Sequence, residues 1–208
     1  MMPMPEPTTA IPTTPGTATP GATTPGTAMP ASSARAFKLV KPVFFVGFMG
    51  AGKTSVARRV ARMCSIASID MDTYLERRVG KEVKDIFAKS GERTFRALES
   101  EVLKDLAEGE PHLISCGGGI VLQPENREIL KARGYVVYLK VSADKALERI
   151  GDTSTRPLLK DIANARRIHE ERAARYEEVS DISIDTEGKG IVEVAREVKE
   201  ALLKEGIL

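Results

Sequence analysis

The feature that most constrains the fold of this chain is residues 47–54, which read Gly-Phe-Met-Gly-Ala-Gly-Lys-Thr. Glycines let successive backbone N–H groups turn inward and approach phosphate oxygens, because no side chain intervenes. In such a loop the lysine, here Lys53, reaches the outer phosphates, and the following hydroxyl, here Thr54, can bind Mg²⁺. The pattern therefore predicts a loop that binds the phosphates of a nucleoside triphosphate.

The flanking sequence supplies the context that a phosphate-binding loop requires. Residues 42–46 are typical of a buried strand that enters the loop, and residues 55–63 are typical of a helix that leaves it. Val56 and Val60 share one face of that helix, and its N-terminus adds partial positive charge where the phosphates would lie. This context disfavours the alternative, a glycine-rich turn that happens to precede Lys-Thr.

The composition bounds the class of protein. The chain has 208 residues, of which 42% are hydrophobic and 29% are charged, with a net charge of +2. These values are ordinary for one globular domain and argue against nucleic-acid binding. No segment has the continuous apolar character of a membrane span.

Cysteine and histidine usage gives no sign of a metal site or a disulfide framework. Cys64 and Cys116 are too few for such a framework and stand in no zinc-binding pattern, which fits a cytoplasmic protein. We expect Cys116 to be a small buried hydrophobe rather than an accessible thiol. His112 and His169 are predicted to be surface residues.

Residues 1–37 differ in composition from the rest of the chain. Thr, Pro, Ala and Gly dominate there, and the only charges are Glu6 and Arg35. Such a segment has too little apolar surface to offset the entropy of ordering, so we predict a disordered tail. It has neither the apolar core of a secretory signal nor the Arg-rich helix of a transit peptide. The predicted folded domain is residues 38–208.

Beyond the loop, short apolar segments alternate with amphipathic ones. Thr73 and Glu76 form a capping-box pattern for a helix, and Ser90-Gly91 precedes another. The predicted strands after the first are residues 65–69, 113–116, 135–141 and 182–185. The remaining predicted helices are residues 143–150, 161–179 and 191–203. The alternation indicates an α/β fold whose parallel sheet is covered by helices on both faces.

Carboxylates and glycines follow two of the predicted strands. Asp70 and Asp72 lie at the carboxyl end of the strand after the phosphate loop unit, where open α/β sheets bind ligands. One can face Mg²⁺ or its water and the other an acceptor hydroxyl; the alternative for Asp72 is helix capping. Gly117-Gly118-Gly119 either brings backbone close to a small ligand or forms a tight turn.

The complete set of motifs resembles the shikimate kinase family. The set is the phosphate loop, Asp70-x-Asp72, Phe95-Arg96, Gly117-Gly118-Gly119, Arg156-Pro157-Leu158-Leu159 and Arg172-x-x-x-Tyr176, in the family's order and at near-family spacing. The resemblance implies a P-loop three-layer fold with a five-stranded parallel sheet, like that of nucleoside monophosphate kinases. It also implies ATP-dependent phosphorylation of the 3-hydroxyl of shikimate, in the route to chorismate and aromatic amino acids. Family habit favours a monomer.

The resemblance further implies a role for each matching residue on the nucleotide side. Thr54 would bind Mg²⁺, and Asp70 would support the water shell of that ion, with Ser115 close by. Arg149 would pack on adenine. Arg156, on a mobile loop over residues 151–160, would be catalytic together with Lys53 and reach the transferring phosphates. The residues implied to hold the ATP phosphates are Gly50, Ala51, Gly52, Lys53, Thr54 and Ser55.

On the acceptor side, the resemblance implies that Asp72 binds shikimate hydroxyls and is the candidate base. Arg96 and Arg172 would bind the shikimate carboxylate, for which guanidinium groups are geometrically suited. The backbone of Gly118 would meet a substrate hydroxyl.

Two positions depart from the family pattern. The family usually has Ser or Thr where this chain has Met71, and Pro-Leu where this chain has Ala174-Arg175. Two alternatives to the leading interpretation are another small-alcohol kinase, such as a gluconate kinase, and a non-catalytic ligand sensor within a regulator. The first would share Lys53 and Thr54 but need no pair of arginines for a carboxylate next to Asp72 and Gly118. The second would predict a fused DNA-binding segment or lost catalytic residues.

Overall fold

The computed structural model of this protein describes residues 37–150 and 162–208. The predicted disordered tail, apart from Phe37, and the predicted mobile loop with Arg156 lie outside these residues. None of the described helices combines the length and the apolar character that a membrane span needs.

Five strands form one parallel sheet in the order β2-β3-β1-β4-β5. The strands are β1 (Val43–Val46), β2 (Ser68–Asp70), β3 (Leu113–Ser115), β4 (Tyr135–Lys140) and β5 (Ile182–Asp185). In the centre of the sheet, Val43 pairs with Leu113 on one side and with Tyr135 on the other. Every residue of β1 is buried, because helices cover both faces of the sheet. The predicted five-stranded parallel sheet is confirmed.

Seven helices are described around the sheet. They are α1 (Lys53–Cys64), α2 (Met71–Val79), α3 (Val83–Glu108), α4 (Pro124–Arg133), α5 (Ala143–Ile150), α6 (Ile162–Val179) and α7 (Ile191–Lys204). A short 3₁₀ turn spans Ile120–Leu122.

The sheet separates two hydrophobic cores, because successive side chains of a strand point to opposite faces. Val43 and Phe45 belong to the first core, with residues of α1, α7 and the first half of α6. Phe44 and Val46 belong to the second core, with residues of α2, α3, α4 and the last turn of α6. The predicted three-layer arrangement is therefore confirmed.

The segment between α1 and α2 differs from the prediction at two places. The second strand begins at Ser68 rather than at residue 65, because Ser65 has φ 55° and closes α1 through its N–H, which donates to Ala61. The predicted capping box of Thr73 and Glu76 is wrong. Asp70 is the N-cap of α2, and its carboxylate accepts from the Thr73 N–H at 3.1 Å.

Two further helical features bear on the site. Gly91 has φ 78° and ψ 169° and breaks α3, which confirms the predicted helix start after Ser90-Gly91. Helix α4 is not predicted by the sequence pattern, because it buries only Asn126 and Leu130 and so has no broad apolar face. The buried Asn126 side chain donates to the Ile120 carbonyl at 3.1 Å and fixes the turn that follows the glycine run.

Candidate active site

A cavity of about 860 Å³ opens at the carboxyl ends of the parallel strands. This is the edge at which open α/β sheets bind ligands, because the loops that follow the strands meet there. Its lining includes Thr54, Asp70, Asp72, Ser115, Gly118 and Arg149. The structure thus brings the phosphate loop, both aspartates and the glycine run to one place.

The phosphate loop depends on its glycines at positions where no side chain fits. Gly50 has φ 79°, and a Cβ there would lie 2.5 Å from the Ala146 carbonyl oxygen. Lys53 is buried at the start of α1, and its ammonium donates to the carbonyls of Gly47 at 2.8 Å and Phe48 at 2.9 Å. The loop therefore carries a fixed positive charge at the N-terminus of a helix, where anions bind well.

Oxygen atoms from three elements meet beside the phosphate loop. The Thr54 hydroxyl donates to Asp70 Oδ2 at 2.7 Å and lies 3.0 Å from the Ser115 hydroxyl. Asp70 and Ser115 are register partners at the ends of β2 and β3, which explains why they converge. Such hard oxygen donors suit Mg²⁺, which proteins commonly bind with one or two carboxylates and substrate phosphates.

The described ranges contain no group of three or more His, Cys, Asp or Glu residues that could hold a metal by themselves. The Thr54, Asp70 and Ser115 oxygens fit an ion that would take its other ligands from phosphates and water.

Asp72 lies in the first turn of α2 and lines the cavity. The alternative that Asp72 caps α2 is wrong, because Asp70 is the cap. A Cβ on Gly117 would lie 3.4 Å from Asp72 Oδ1, which places the carboxylate beside the glycine run. The exposed Asp72 carboxylate can therefore meet a ligand between α2 and the loop after β3.

Arg96 forms a buried ion pair with Glu99 on the second part of α3. Arg96 Nη1 donates to Glu99 Oε2 at 2.7 Å, and Arg96 Nη2 donates to the exposed Glu92 at 3.1 Å. Glu99 is only 2% exposed, and its Oε1 has no hydrogen-bond partner in the described part of the chain. Burial raises the pKa of the Glu99 carboxyl, an effect that Arg96 opposes and the charge of Asp72 reinforces.

The glycine run after β3 makes room for this ion pair. A Cβ on Gly117 would lie 2.7 Å from Glu99 Oε1, and a Cβ on Gly119 would overlap the Arg96 guanidinium. The Gly118 carbonyl accepts from Arg172 Nη1 at 3.1 Å and from the Tyr176 hydroxyl at 2.5 Å. The run is therefore the surface on which the two predicted arginines converge, rather than only a tight turn.

The Arg149 guanidinium lies at the other end of the cavity. It donates to the Thr186 hydroxyl at 2.9 Å and to the Thr186 carbonyl at 2.6 Å. The Thr186 hydroxyl in turn donates to the Lys140 carbonyl at 2.8 Å, so the buried threonine ties Arg149 to the end of β4.

Sequence reasoning assigned no site role to Thr186 or Glu99. Thr186 stands alone after β5 and carries no local signal. Glu99 does carry a local signal, because it lies three residues from Arg96 and side chains at that spacing meet on a helix.

Burial and contacts bear on three predictions about individual side chains and on one departure from the family pattern. Cys116 is buried, as expected, and burial raises the pKa of its thiol. Met71 is 2% exposed in the second core, so this departure from the family pattern lies away from the cavity. His169 is half-buried rather than fully exposed: its Nε2 hydrogen-bonds the Val141 carbonyl at 2.7 Å, and its ring packs against Phe48. His112 is half-buried, and its Nδ1 hydrogen-bonds the Glu110 carbonyl.

Comparison with known proteins gives one consistent result. The family model for shikimate kinase matches residues 49–203. The shikimate kinase of Moorella thermoacetica is 42% identical over 165 residues, which cover 77% of this chain and 93% of the relative. That of Actinobacillus succinogenes is 38% identical over 160 residues, which cover 75% of this chain and 91% of the relative.

Solved structures agree with the sequence comparison. The shikimate kinase of Acinetobacter baumannii, solved in complex with shikimate, superposes with a TM-score of 0.78 at 33% identity and covers 84% of this chain and 99% of its own. The shikimate kinase of Aquifex aeolicus gives a TM-score of 0.71 at 36% identity, covering 80% of this chain and 98% of its own. On the matched family model, the identity to these relatives and the shared fold, this chain belongs to the shikimate kinase family.

Proposed function

We propose that this chain transfers the γ-phosphoryl group of ATP to the 3-hydroxyl of shikimate, giving shikimate 3-phosphate and ADP. The observation that carries the proposal is the composition of the site. One cavity joins the phosphate loop to Asp72 and Gly118, and two buried arginines, Arg96 and Arg172, flank the glycine run. A kinase for an uncharged sugar acceptor has no need for this arginine pair, and gluconate, which also carries a carboxylate, is distinguished by the assay below.

On the nucleotide side, the loop amides and Lys53 bind the ATP phosphates, and Arg149 packs on adenine. Thr54 would hold Mg²⁺, and Asp70 would bind the ion through water, with the Ser115 hydroxyl nearby. When bound, Mg²⁺ neutralises charge on the phosphates. The loop residues in this role are Gly50, Ala51, Gly52, Lys53, Thr54 and Ser55.

On the acceptor side, Arg96 and Arg172 bind the shikimate carboxylate through guanidinium N–H groups. The Arg96–Glu99 pair holds one guanidinium in place, and the Gly118 carbonyl holds the other. Asp72 then accepts the proton of the attacking hydroxyl, and the Gly118 backbone binds a neighbouring hydroxyl. These contacts fix the acceptor, so that its 3-hydroxyl faces the phosphates held by the loop.

Phosphoryl transfer needs little covalent help from the protein, since it depends on alignment and on neutralising charge over the equatorial oxygens. Lys53 supplies one such charge at the loop. Arg156 lies outside the described residues, and family resemblance assigns it a second positive charge at the transferring phosphates. An arginine in this role increases the rate by about 10³- to 10⁵-fold.

The test is a coupled ADP-release assay with ATP and Mg²⁺, comparing shikimate, gluconate and no acceptor. We expect release that requires shikimate, and a fall in kcat of roughly 10²- to 10⁴-fold in Asp72→Asn, because the variant lacks the base. Asp85→Asn is the matched control. Like Asp72, Asp85 lies in the first turn of a helix, here α3, but it does not line the cavity. Release that ignores shikimate would contradict the substrate assignment, and a fully active Asp72→Asn would contradict the role of the carboxylate.

A further inference from the structure

The three carbonyl groups of the glycine run are held in two different ways. The Gly117 carbonyl accepts from the Ile120 N–H at 3.1 Å, and the Gly119 carbonyl accepts from the Leu122 N–H at 2.9 Å, both within the local turn. The described donors to the Gly118 carbonyl are instead two side chains of α6, Arg172 and Tyr176. The middle glycine is therefore tied to a helix far along the chain.

Tyr176 is well suited to be a fixed donor. Its side chain is fully buried in the second core, and its ring packs against Tyr138 with centroids 5.2 Å apart. Burial raises the pKa of its phenol, so the hydroxyl keeps its proton at neutral pH. Packing holds the ring in place, and the Tyr176 hydroxyl donates to the Gly118 carbonyl.

The shared carbonyl links Tyr176 to Arg172. A carbonyl oxygen has two lone pairs, and here each of the two side chains supplies one donor. Tyr176 occupies one lone pair and a single N–H of Arg172 the other, and the Arg172 guanidinium also interacts with the Tyr176 hydroxyl. Glycine has the widest backbone freedom of any residue, so this pair of bonds also sets the plane of the Gly118–Gly119 peptide.

We propose that Tyr176 is a positioning residue of the acceptor pocket, which acts through the Gly118 carbonyl to orient both the Gly118 backbone and the Arg172 guanidinium toward a carboxylate-bearing acceptor. The inference rests on the proposed function, since it deepens the assignment of Arg172 and Gly118 to the acceptor. Without the hydroxyl, Arg172 is free to turn a second N–H toward Gly118 and away from the acceptor.

Tyr176→Phe is the test, because it removes the hydroxyl and keeps the packed ring. We expect the KM for shikimate, and the Kd measured by calorimetry without nucleotide, to rise about five- to tenfold, which corresponds to one lost hydrogen bond. The KM for ATP and kcat should stay within about twofold of wild type, since no described contact of Tyr176 reaches the phosphate loop. A merely structural hydroxyl would lower the melting temperature and leave the shikimate constants unchanged.

Tyr138→Phe is the matched control. It removes the hydroxyl from the other ring of the same buried pair. The Tyr138 hydroxyl is not one of the described donors to the Gly118 carbonyl. It should leave both shikimate constants unchanged. The proposal is overturned if Tyr176→Phe keeps the wild-type shikimate constants, or if Tyr138→Phe raises them equally.

A measurement on the wild type does not depend on a variant. On addition of shikimate, amide hydrogen exchange should slow both in peptides that cover the glycine run and in peptides that cover the Arg172–Tyr176 turn of α6. Slowing at the glycine run alone overturns the proposal. Failure of the proposed function is distinguishable, because the wild type itself would then neither bind shikimate nor release ADP with it.

Discussion

The phosphate loop and the proposed acceptor pocket meet at one cavity, which Asp72 and Gly118 line, but they are built from the chain in opposite ways. The loop is continuous over residues 47–54 and acts mainly through backbone groups that glycines leave open. The proposed acceptor pocket combines side chains from α2, α3 and α6 with the backbone of the glycine run, and a buried ion pair lies among them. On the proposed assignment, phosphate recognition is built locally, whereas acceptor recognition requires the whole fold to be in place.

The two regions also differ in what they cost the folded state. The Lys53 ammonium donates to two carbonyls of its own loop, so its burial is compensated locally. Glu99 is buried with one oxygen unpartnered in the described part of the chain, and it relies on Arg96 for compensation. Removing one member of a buried pair leaves an uncompensated charge, which is strongly destabilising. Substitutions in the two regions should therefore fail for different reasons.

Among the variants that separate the two regions, the largest effect is expected in the phosphate loop. Lys53→Met removes the ammonium and keeps most of the side-chain volume, so we expect kcat to fall by about 10²- to 10³-fold, as for loss of one charge-stabilising donor. The Kd for shikimate, measured by calorimetry without nucleotide, should not change. Lys104→Met on the exposed face of α3 is the control. A parallel loss of shikimate affinity would show that the two regions are not separable.

Arg96→Ala should affect the acceptor pocket and the fold together. We expect the KM for shikimate to rise by roughly 10- to 100-fold through loss of a charged hydrogen bond, and the free energy of unfolding to fall by about 3–5 kcal/mol because Glu99 loses its partner. The KM for ATP should stay constant. Steady-state rates and urea denaturation measure these quantities.

Arg93→Ala, an exposed arginine on the same helix, is the control for that variant and should change neither quantity appreciably. The double variant Arg96→Met/Glu99→Leu sharpens the contrast. It should recover stability, because apolar side chains can replace a buried ion pair, and it should not recover shikimate affinity. Recovery of both would remove Arg96 from the acceptor site.

The smallest expected effect is a pH dependence of the free energy of unfolding, which the buried Glu99 carboxyl causes. The folded-state pKa of Glu99 is raised above its usual value near 4.5, mainly by burial. A raised folded-state pKa stabilises the folded state when the pH is below the usual pKa of the carboxyl. This stabilisation is lost as the pH rises through the folded-state pKa. The free energy of unfolding of wild type should therefore fall, relative to Glu99→Gln, as the pH rises above 4.5.

Urea denaturation of both proteins between about pH 4 and 8 measures this difference. Glu101→Gln, two residues on and exposed, should show no such trend against wild type. If the free energy of unfolding of wild type instead rises relative to Glu99→Gln as the pH increases, attraction to Arg96 has a larger effect than burial on the pKa of Glu99.

The difference between the regions also explains which features the sequence could predict. Residues 47–54 carry their conformation and their chemistry in consecutive positions, so their pattern predicts loop, flanking strand and helix together. Arg96 and Arg172 resemble any surface arginine in sequence, and only the family pattern distinguishes them. Thr186 could not be predicted, because its role depends on where β4 and β5 place it relative to Arg149.

Local competition explains the remaining differences from the prediction. Asp70 and Thr73 are both good helix caps, and Asp70 becomes the cap because α2 begins directly at the end of β2. Helix α4 has too narrow an apolar face for its period to be recognised. His169 lies among charged residues in sequence, but its own side chain turns toward Phe48 and the Val141 carbonyl.

Helix α6 is the one described helix that contributes buried side chains to both cores. Ala165 and Ile168 belong to the first core, whereas Tyr176 and Val179 belong to the second. Its 18 residues form a stiff rod about 27 Å long. A stiff helix that packs in both cores passes a displacement at one end to the other, so we expect a larger side chain at Ala165 to shift the bond between Tyr176 and the Gly118 carbonyl. Substitutions at its two ends should therefore have non-additive effects on shikimate affinity.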